Sequence, residues 1–146
     1  MSKNQKLIDL MNGALETEHQ AYVQYLSHAE VVFGINSEPI IERLKEIAED
    51  EEKHQAKFRE MIGDYLGGVP STKIAKAYEA KTIDEILRVN LKNEMEAVDL
   101  YTKLLEELKG AKDELRYEYV KLEHEVRHIL MEEQEHISEL KRLLGQ

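Results

Sequence analysis

The chain has 146 residues, no cysteine and a formal charge of −10 at neutral pH. That length suits one domain with its own core. Lack of thiols excludes a disulfide framework, a thiolate zinc site and a thiol nucleophile, and the acidic balance argues against a nucleic-acid partner.

Two prolines, seven glycines and 34% charged residues rich in Glu and Lys suit an all-helical fold. The N-terminal run Met1-Ser2-Lys3-Asn4-Gln5-Lys6 leads into an amphipathic segment, so neither a signal peptide nor a membrane span is expected, and the protein is read as cytoplasmic. Helix one is expected from about Lys3 to Phe33, stopped by Gly34. Ser37 can cap helix two, with Pro39 in its first turn, and that helix should continue to about Leu66. Gly67-Gly68-Val69-Pro70-Ser71 breaks it, and a short helical turn is expected around Ile74 to Tyr78. Thr82-Ile83-Asp84-Glu85 fits a capping box opening helix three, which should end near Leu108. Helix four is expected over roughly Asp113 to Leu144.

Short links make helices one and two, and helices three and four, antiparallel hairpins. The segment Gly67 to Lys81 is long enough, at about 50 Å extended, to run the length of the bundle and leave helices two and three parallel. The expected architecture is therefore a four-helix bundle with a long crossover between helices two and three.

Each helix carries an apolar stripe interrupted by charge. In helix one the stripe is Leu7, Met11, Ala14, Glu18, Ala21, Tyr25; in helix three it is Ile83, Leu87, Asn90, Glu94, Ala97, Tyr101. Helix two places Glu51 and His54 between Ile47 and Phe58, and helix four places Glu133 and His136 between Ile129 and Leu140. The order is Glu, Glu-x-x-His, Glu, Glu-x-x-His, a repeat whose two halves imply a pseudo-twofold axis. A buried carboxylate loses several kcal/mol of solvation unless a cation or hydrogen bonds replace the water. Glu and His three apart project from one helix face and can reach one ion, and four carboxylates offset the charge of two divalent cations. Oxygen and imidazole together suit iron or manganese, and also zinc.

This pattern resembles the ferritin-like di-iron carboxylate superfamily, and within it bacterioferritin most, along the whole span from helix one to helix four. The resemblance implies Glu18, Glu51, His54, Glu94, Glu133 and His136 as metal ligands, with His54 and His136 terminal and Glu51 and Glu133 terminal or bridging. It implies two iron ions per chain, oxidation of Fe(II) by oxygen or hydrogen peroxide, and often mineral storage in a homo-oligomer, a dimer or a larger shell. Bacterioferritins hold haem through a methionine beside the helix-two glutamate; Glu52 stands there, so haem is not expected. Rubrerythrins usually add a carboxylate three residues beyond the helix-three ligand and a cysteine-ligated iron; here the residue is Ala97 and cysteine is absent.

In similar di-iron proteins the acid preceding the pair glutamate accepts the outer N–H of the opposite histidine, which pairs Asp50 with His136 and Glu132 with His54. Tyr25 can hydrogen-bond a ligand or supply an electron, a role the family precedent favours for it; Tyr101 is read equally as a core tyrosine. His124 and His128, four apart, could clamp a surface metal, although solvent exposure is the favoured reading. Asn90 is open between a bond near the ligands and a structural one, and Tyr22, Val23 and Leu26 suggest subunit contacts. The alternatives to a ferroxidase are a peroxidase that does not store iron and a non-catalytic helical interaction module.

Overall fold

A computed structural model describes residues 3–146; Met1 and Ser2 of the N-terminal reading lie outside the described residues. Four long helices carry the fold: α1 Lys3–Ala29, α2 Ser37–Glu60, α3 Ile83–Gly110 and α4 Tyr119–Leu143. No helix among the described residues is long and apolar enough to cross a membrane. The contacts of α1 with α2, of α3 with α4 and of α1 with α3 set two hairpins side by side.

Several boundaries differ from the sequence reading. Helix one stops at Ala29 and not at Phe33; beyond it Val32 still enters the core, whereas Val31, Phe33 and Ile35 are solvent-exposed and would give a further helical turn little buried face. Ser37 is the first helical residue and does not cap; Asn36 precedes it in the left-handed region at φ 70° without a side-chain cap bond. Helix two runs on through one π-helical turn, Met61–Tyr65, closed by the Leu66 N–H on the Met61 carbonyl at 3.0 Å. Gly67 then takes φ 68°, and Gly68 lies so close to α1 that a Cβ there would stand 2.8 Å from Ile8. Thr82 caps α3 as read: its Oγ1 accepts the Glu85 N–H at 3.1 Å, while the Glu85 carboxylate reaches back to the Lys81 N–H. Helix four begins at Tyr119 and not at Asp113, since residues 112–118 offer only Leu115 to the core and a helix without a buried face is not held.

The expected helical turn at Ile74 to Tyr78 is absent. Residues 67–81 form an extended strap clipped to α1. Its fastenings are Asn12 Nδ2 on the Val69 carbonyl, Ser71 Oγ on Glu16, the Ala75 N–H on the Glu16 carbonyl and the Tyr78 N–H on Gln24 Oε1. Side chains of α1 thus satisfy backbone groups that an intrasegment helix would otherwise have paired. The strap runs beside α1 from Asn12 to Gln24 and delivers the chain to the far end of the bundle, so α3 lies parallel to α2.

The core has two unequal apolar parts. The larger contains Leu7, Met11, Phe58, Ile62, Tyr101, Leu104, Leu122 and Val126. The smaller sits toward the other end around Tyr25, Leu44, Ile47 and Ile86, with a satellite of Leu87, Leu91 and Leu140. Between them lies a layer of buried charge.

Candidate metal centre

All six sequence-predicted ligands meet in that layer. Glu18, Glu51, His54, Glu94, Glu133 and His136 are each at most 3% exposed. Their helices are amphipathic with the 3.6-residue period, so residues on the apolar stripe point inward whatever their polarity, and packing of the stripes carries the six to the same depth.

Two overlapping groups form. Ligand atoms of Glu18, Glu51, His54 and Glu133 lie within 4.8 Å of one another, and so do those of Glu51, Glu94, Glu133 and His136. Glu51 and Glu133 belong to both cages, whereas Glu18 with His54 and Glu94 with His136 each belong to one. The imidazole centroids of His54 and His136 are 6.4 Å apart.

The outer nitrogens of both imidazoles are fixed. His54 Nε2 is 2.8 Å from Glu132 Oε2, and His136 Nε2 is 2.9 Å from Asp50 Oδ2. With Nε2–H donated to a carboxylate, each ring turns Nδ1 toward the centre. Each lone glutamate is held by a phenol from the other hairpin: Tyr101 donates to Glu18 Oε1 at 2.6 Å and Tyr25 donates to Glu94 Oε1 at 2.8 Å. Tyr101 is therefore both a core side chain and a partner of the site.

The inner atoms are left unsatisfied. Among the described residues, the buried side-chain nitrogens and oxygens without a hydrogen-bond partner are Glu18 Oε2, Glu51 Oε1, His54 Nδ1, Glu94 Oε2, both Glu133 oxygens and His136 Nδ1. Every one belongs to the six. His54 Nδ1 comes within 2.9 Å of Glu133 Oε1 but out of line for a hydrogen bond. Buried polar atoms of a native core are normally paired, and these seven converge on two points. Cations coordinated there would satisfy all of them, so the residues present fit a carboxylate and imidazole metal centre.

The electrostatics of the six side chains point the same way. Burial, and then the charge of Glu133, push the carboxyls of Glu18, Glu51 and Glu94 above the usual range. Burial also opposes charge on Glu133, but the neighbouring Glu94 carboxyl and the His136 and His54 imidazoles hold it well below. Burial lowers the two imidazoles, and the surrounding acids more than reverse this: Glu18 and Glu132 push His54 up to about 12, and Glu133 and Glu94 push His136 up to about 11. Any cation bound there would have to displace protons from these groups.

The remaining polar residues sort plainly. Asn90 is structural: its Nδ2 donates to the Ile86 carbonyl and to His28 Nδ1, and its Oδ1 accepts from Gln24. His28 in turn holds the Tyr78 carbonyl of the strap at 2.8 Å. His19 bonds the Lys73 carbonyl and Arg59, away from the centre. This network of Gln24, Asn90 and His28 escaped the sequence reading, although Gln20, Gln24 and His28 recur every fourth residue along α1, a polar stripe beside the apolar one. His124 and His128 are exposed, as favoured, but His128 Nδ1 lies 3.3 Å from Glu132 Oε1.

Comparison with known proteins agrees with this arrangement. Residues 8–146 match the Ferritin family, described as a ferritin-like domain. A solved structure of ferritin-like, diiron-carboxylate proteins from Bacillus anthracis superposes with a TM-score of 0.88 at 28% identity, covering 99% of both chains. Among curated proteins none matches the sequence. Fold, layer of buried acids and family match coincide, and the chain belongs to the ferritin-like di-iron carboxylate superfamily.

Proposed function

We propose that the chain is a cytoplasmic di-iron ferroxidase that oxidises Fe(II) to Fe(III) with oxygen or hydrogen peroxide, in iron storage or detoxification. The observation that carries this reading is the set of unpartnered buried atoms, all on Glu18, Glu51, His54, Glu94, Glu133 and His136 and all directed at two neighbouring points.

The residues divide the work. Glu51 and Glu133, shared by both cages, would serve both ferrous ions, and Glu18 with His54 and Glu94 with His136 would each hold one. When bound, the ferrous pair supplies the two electrons that, with two protons, reduce one hydrogen peroxide to two waters. Glu132 and Asp50 keep both imidazoles turned inward with Nδ1 free to ligate. Tyr101 and Tyr25 restrain Glu18 and Glu94 from swinging, and the two apolar parts of the core exclude bulk water. Tyr25, the phenol on Glu94, would serve as a further electron donor to the oxidant, giving up its proton with the electron. Two divalent ions against four carboxylates leave a neutral layer, which a dry bundle tolerates. Exposed Val23, Val31, Phe33 and Ile35 at one end of α1 supply an apolar surface for a homo-oligomer.

Anaerobic protein loaded with Fe(II) and mixed with oxygen or peroxide tests the proposal. Ferric absorbance should rise faster than in protein-free buffer, with two ions per chain bound beforehand and protons released on loading. A rate equal to that of buffer overturns it.

A further inference from the structure

The extended strap does not seal the seam between α1 and α3. Among the three lies a cleft of about 330 Å³, lined by Thr17 and Gln20 of α1, Asn93, Ala97 and Leu100 of α3, and Ala75 of the strap. Its walls are braced. Gln20 Nε2 donates to Gln24 Oε1 at 2.8 Å and Gln24 Nε2 donates to Asn93 Oδ1 at 2.8 Å, while the strap is pinned by the Ala75 N–H on the Glu16 carbonyl and the Tyr78 N–H on Gln24 Oε1. With these groups paired, the cleft is a built part of the fold.

The floor of the cleft is thin. Ala97 lines it and also stands on the inward stripe of α3, one turn beyond Glu94 and one turn before Tyr101, whose hydroxyl holds Glu18 at 2.6 Å. Thr17 and Asn93, also in the lining, directly precede Glu18 and Glu94. On this side the stripe residue between the cleft and the lone glutamates is therefore a single methyl group. The lining is also close to neutral: amides, a hydroxyl and alkyl groups, with one charge of each sign, Lys76 and Glu96. The α2 and α4 side of the centre is different, because both imidazoles there are tied to acids, Glu132 and Asp50, that are each 31% exposed. That acidic side attracts a cation, whereas an uncharged molecule gains nothing from it.

We propose that this cleft admits the small uncharged oxidant, dioxygen or hydrogen peroxide, to the buried centre, and that Ala97 sets the width of the passage. What the oxidant does on arrival rests on the ferroxidase reading; its route past Ala97 does not. Alanine is the smallest side chain that leaves a helix fully stable, and a branched chain at the same position closes the floor. Ala75 does the same for the mouth, where a larger side chain on the strap covers the opening.

Dissolved dioxygen is paramagnetic, so its effect on methyl relaxation in the metal-free protein reports where it dwells. The Ala97 methyl should be relaxed more strongly than that of Ala21, its counterpart on α1, although Ala97 is 4% exposed and Ala21 8%. Ala75→Leu, which fills the mouth from the strap, should abolish that excess. In the iron-loaded protein Ala75→Leu and Ala97→Leu should each slow ferrous oxidation about tenfold, equivalent to about 1.4 kcal/mol on the barrier. Oxygen and peroxide are supplied separately, and a loss with one alone assigns the passage to that oxidant. Co(II) uptake, followed by absorbance, should keep its wild-type rate and stoichiometry in both variants. Failure of the ferroxidase reading would show as a wild type that does not oxidise iron, and would leave the relaxation measurement intact. No excess at Ala97 over Ala21, an unchanged oxidation rate in Ala75→Leu, or oxidation and Co(II) uptake slowed together overturns the inference.

Discussion

Glu18 and Glu94 hold matching places in the two cages, yet what stands behind them differs. Behind Glu18 is Tyr101, whose ring packs on Phe58 at 5.4 Å inside the larger apolar cluster. Behind Glu94 is Tyr25, in the smaller cluster, with the Gln24, Asn90 and His28 network on the same two helices. Outside His54, Glu132 has a second histidine for company; outside His136, Asp50 has none among the described contacts. The pseudo-twofold is thus strict at the centre and loosens outward. Inside, every buried charge has to be matched and no position is free to vary. One shell further out, the same helix positions serve unlike tasks: one half fastens the strap, and the other reaches solvent through His128.

The sharpest way to test this equivalence is to remove what the halves share. Glu133→Ala takes a ligand from both cages and should lower ferrous oxidation by more than about 100-fold, beyond the range for outer partners, with metal content falling to less than one ion per chain. Glu18→Ala and Glu94→Ala should each cost one ion; if either costs both, the halves are not independent.

Next come the outer partners. Glu132→Ala and Asp50→Ala each release one imidazole and should weaken metal affinity about 10- to 100-fold. Titration calorimetry should show this loss confined to one of two binding steps in each variant. Unequal losses would measure what His128 adds to the Glu132 side.

Smaller effects separate the tyrosines. Tyr101→Phe and Tyr25→Phe leave Glu18 Oε1 and Glu94 Oε1 without their donors, at about 1–3 kcal/mol in denaturant melts of the metal-free protein. Tyr101→Phe should affect metal loading alone, whereas Tyr25→Phe should also slow peroxide turnover if Tyr25 supplies an electron.

The smallest effect lies in the network behind Glu94. His28 accepts from Asn90 at Nδ1 and donates from Nε2 to the Tyr78 carbonyl, which requires the neutral ring. Burial lowers its folded pKa below the ordinary 6.5, so the folded state binds fewer protons there than the unfolded one. The contribution of His28 is complete above pH 6.5 and declines as pH falls below it. His28→Gln should flatten the fall in melting temperature over that interval, and an unchanged slope would remove His28 as its source.

The helices and their inward faces were legible because both follow from local spacing: Leu7 to Tyr25 and Ile83 to Tyr101 repeat at the helical period, and a carboxylate within such a row has to be buried. The pairings of Glu132 with His54 and Asp50 with His136 were legible as well, from the resemblance and the doubled order. Helix ends were not. Phe33 and residues 112–118 carry helix-compatible sequence, but with only Val32 and Leu115 reaching the core there, too little buried face holds a helix, so α1 ends at Ala29 and α4 waits until Tyr119. The strap was half legible: its length required a crossover, but its extended form depends on Asn12, Glu16 and Gln24 reaching across from another helix.

By itself, then, the sequence determined which six ionisable side chains turn inward and that the chain doubles back as two hairpins joined by a long crossover. Only the tertiary structure decided that Glu51 and Glu133 are the shared pair, that each tyrosine crosses to the glutamate of the opposite hairpin, and that Glu132 faces both His54 and His128. Helical spacing fixes the angle at which a side chain leaves its own axis. The height and rotation of one helix against another are set by packing between residues far apart in the chain, and it is those offsets that decide which atoms meet.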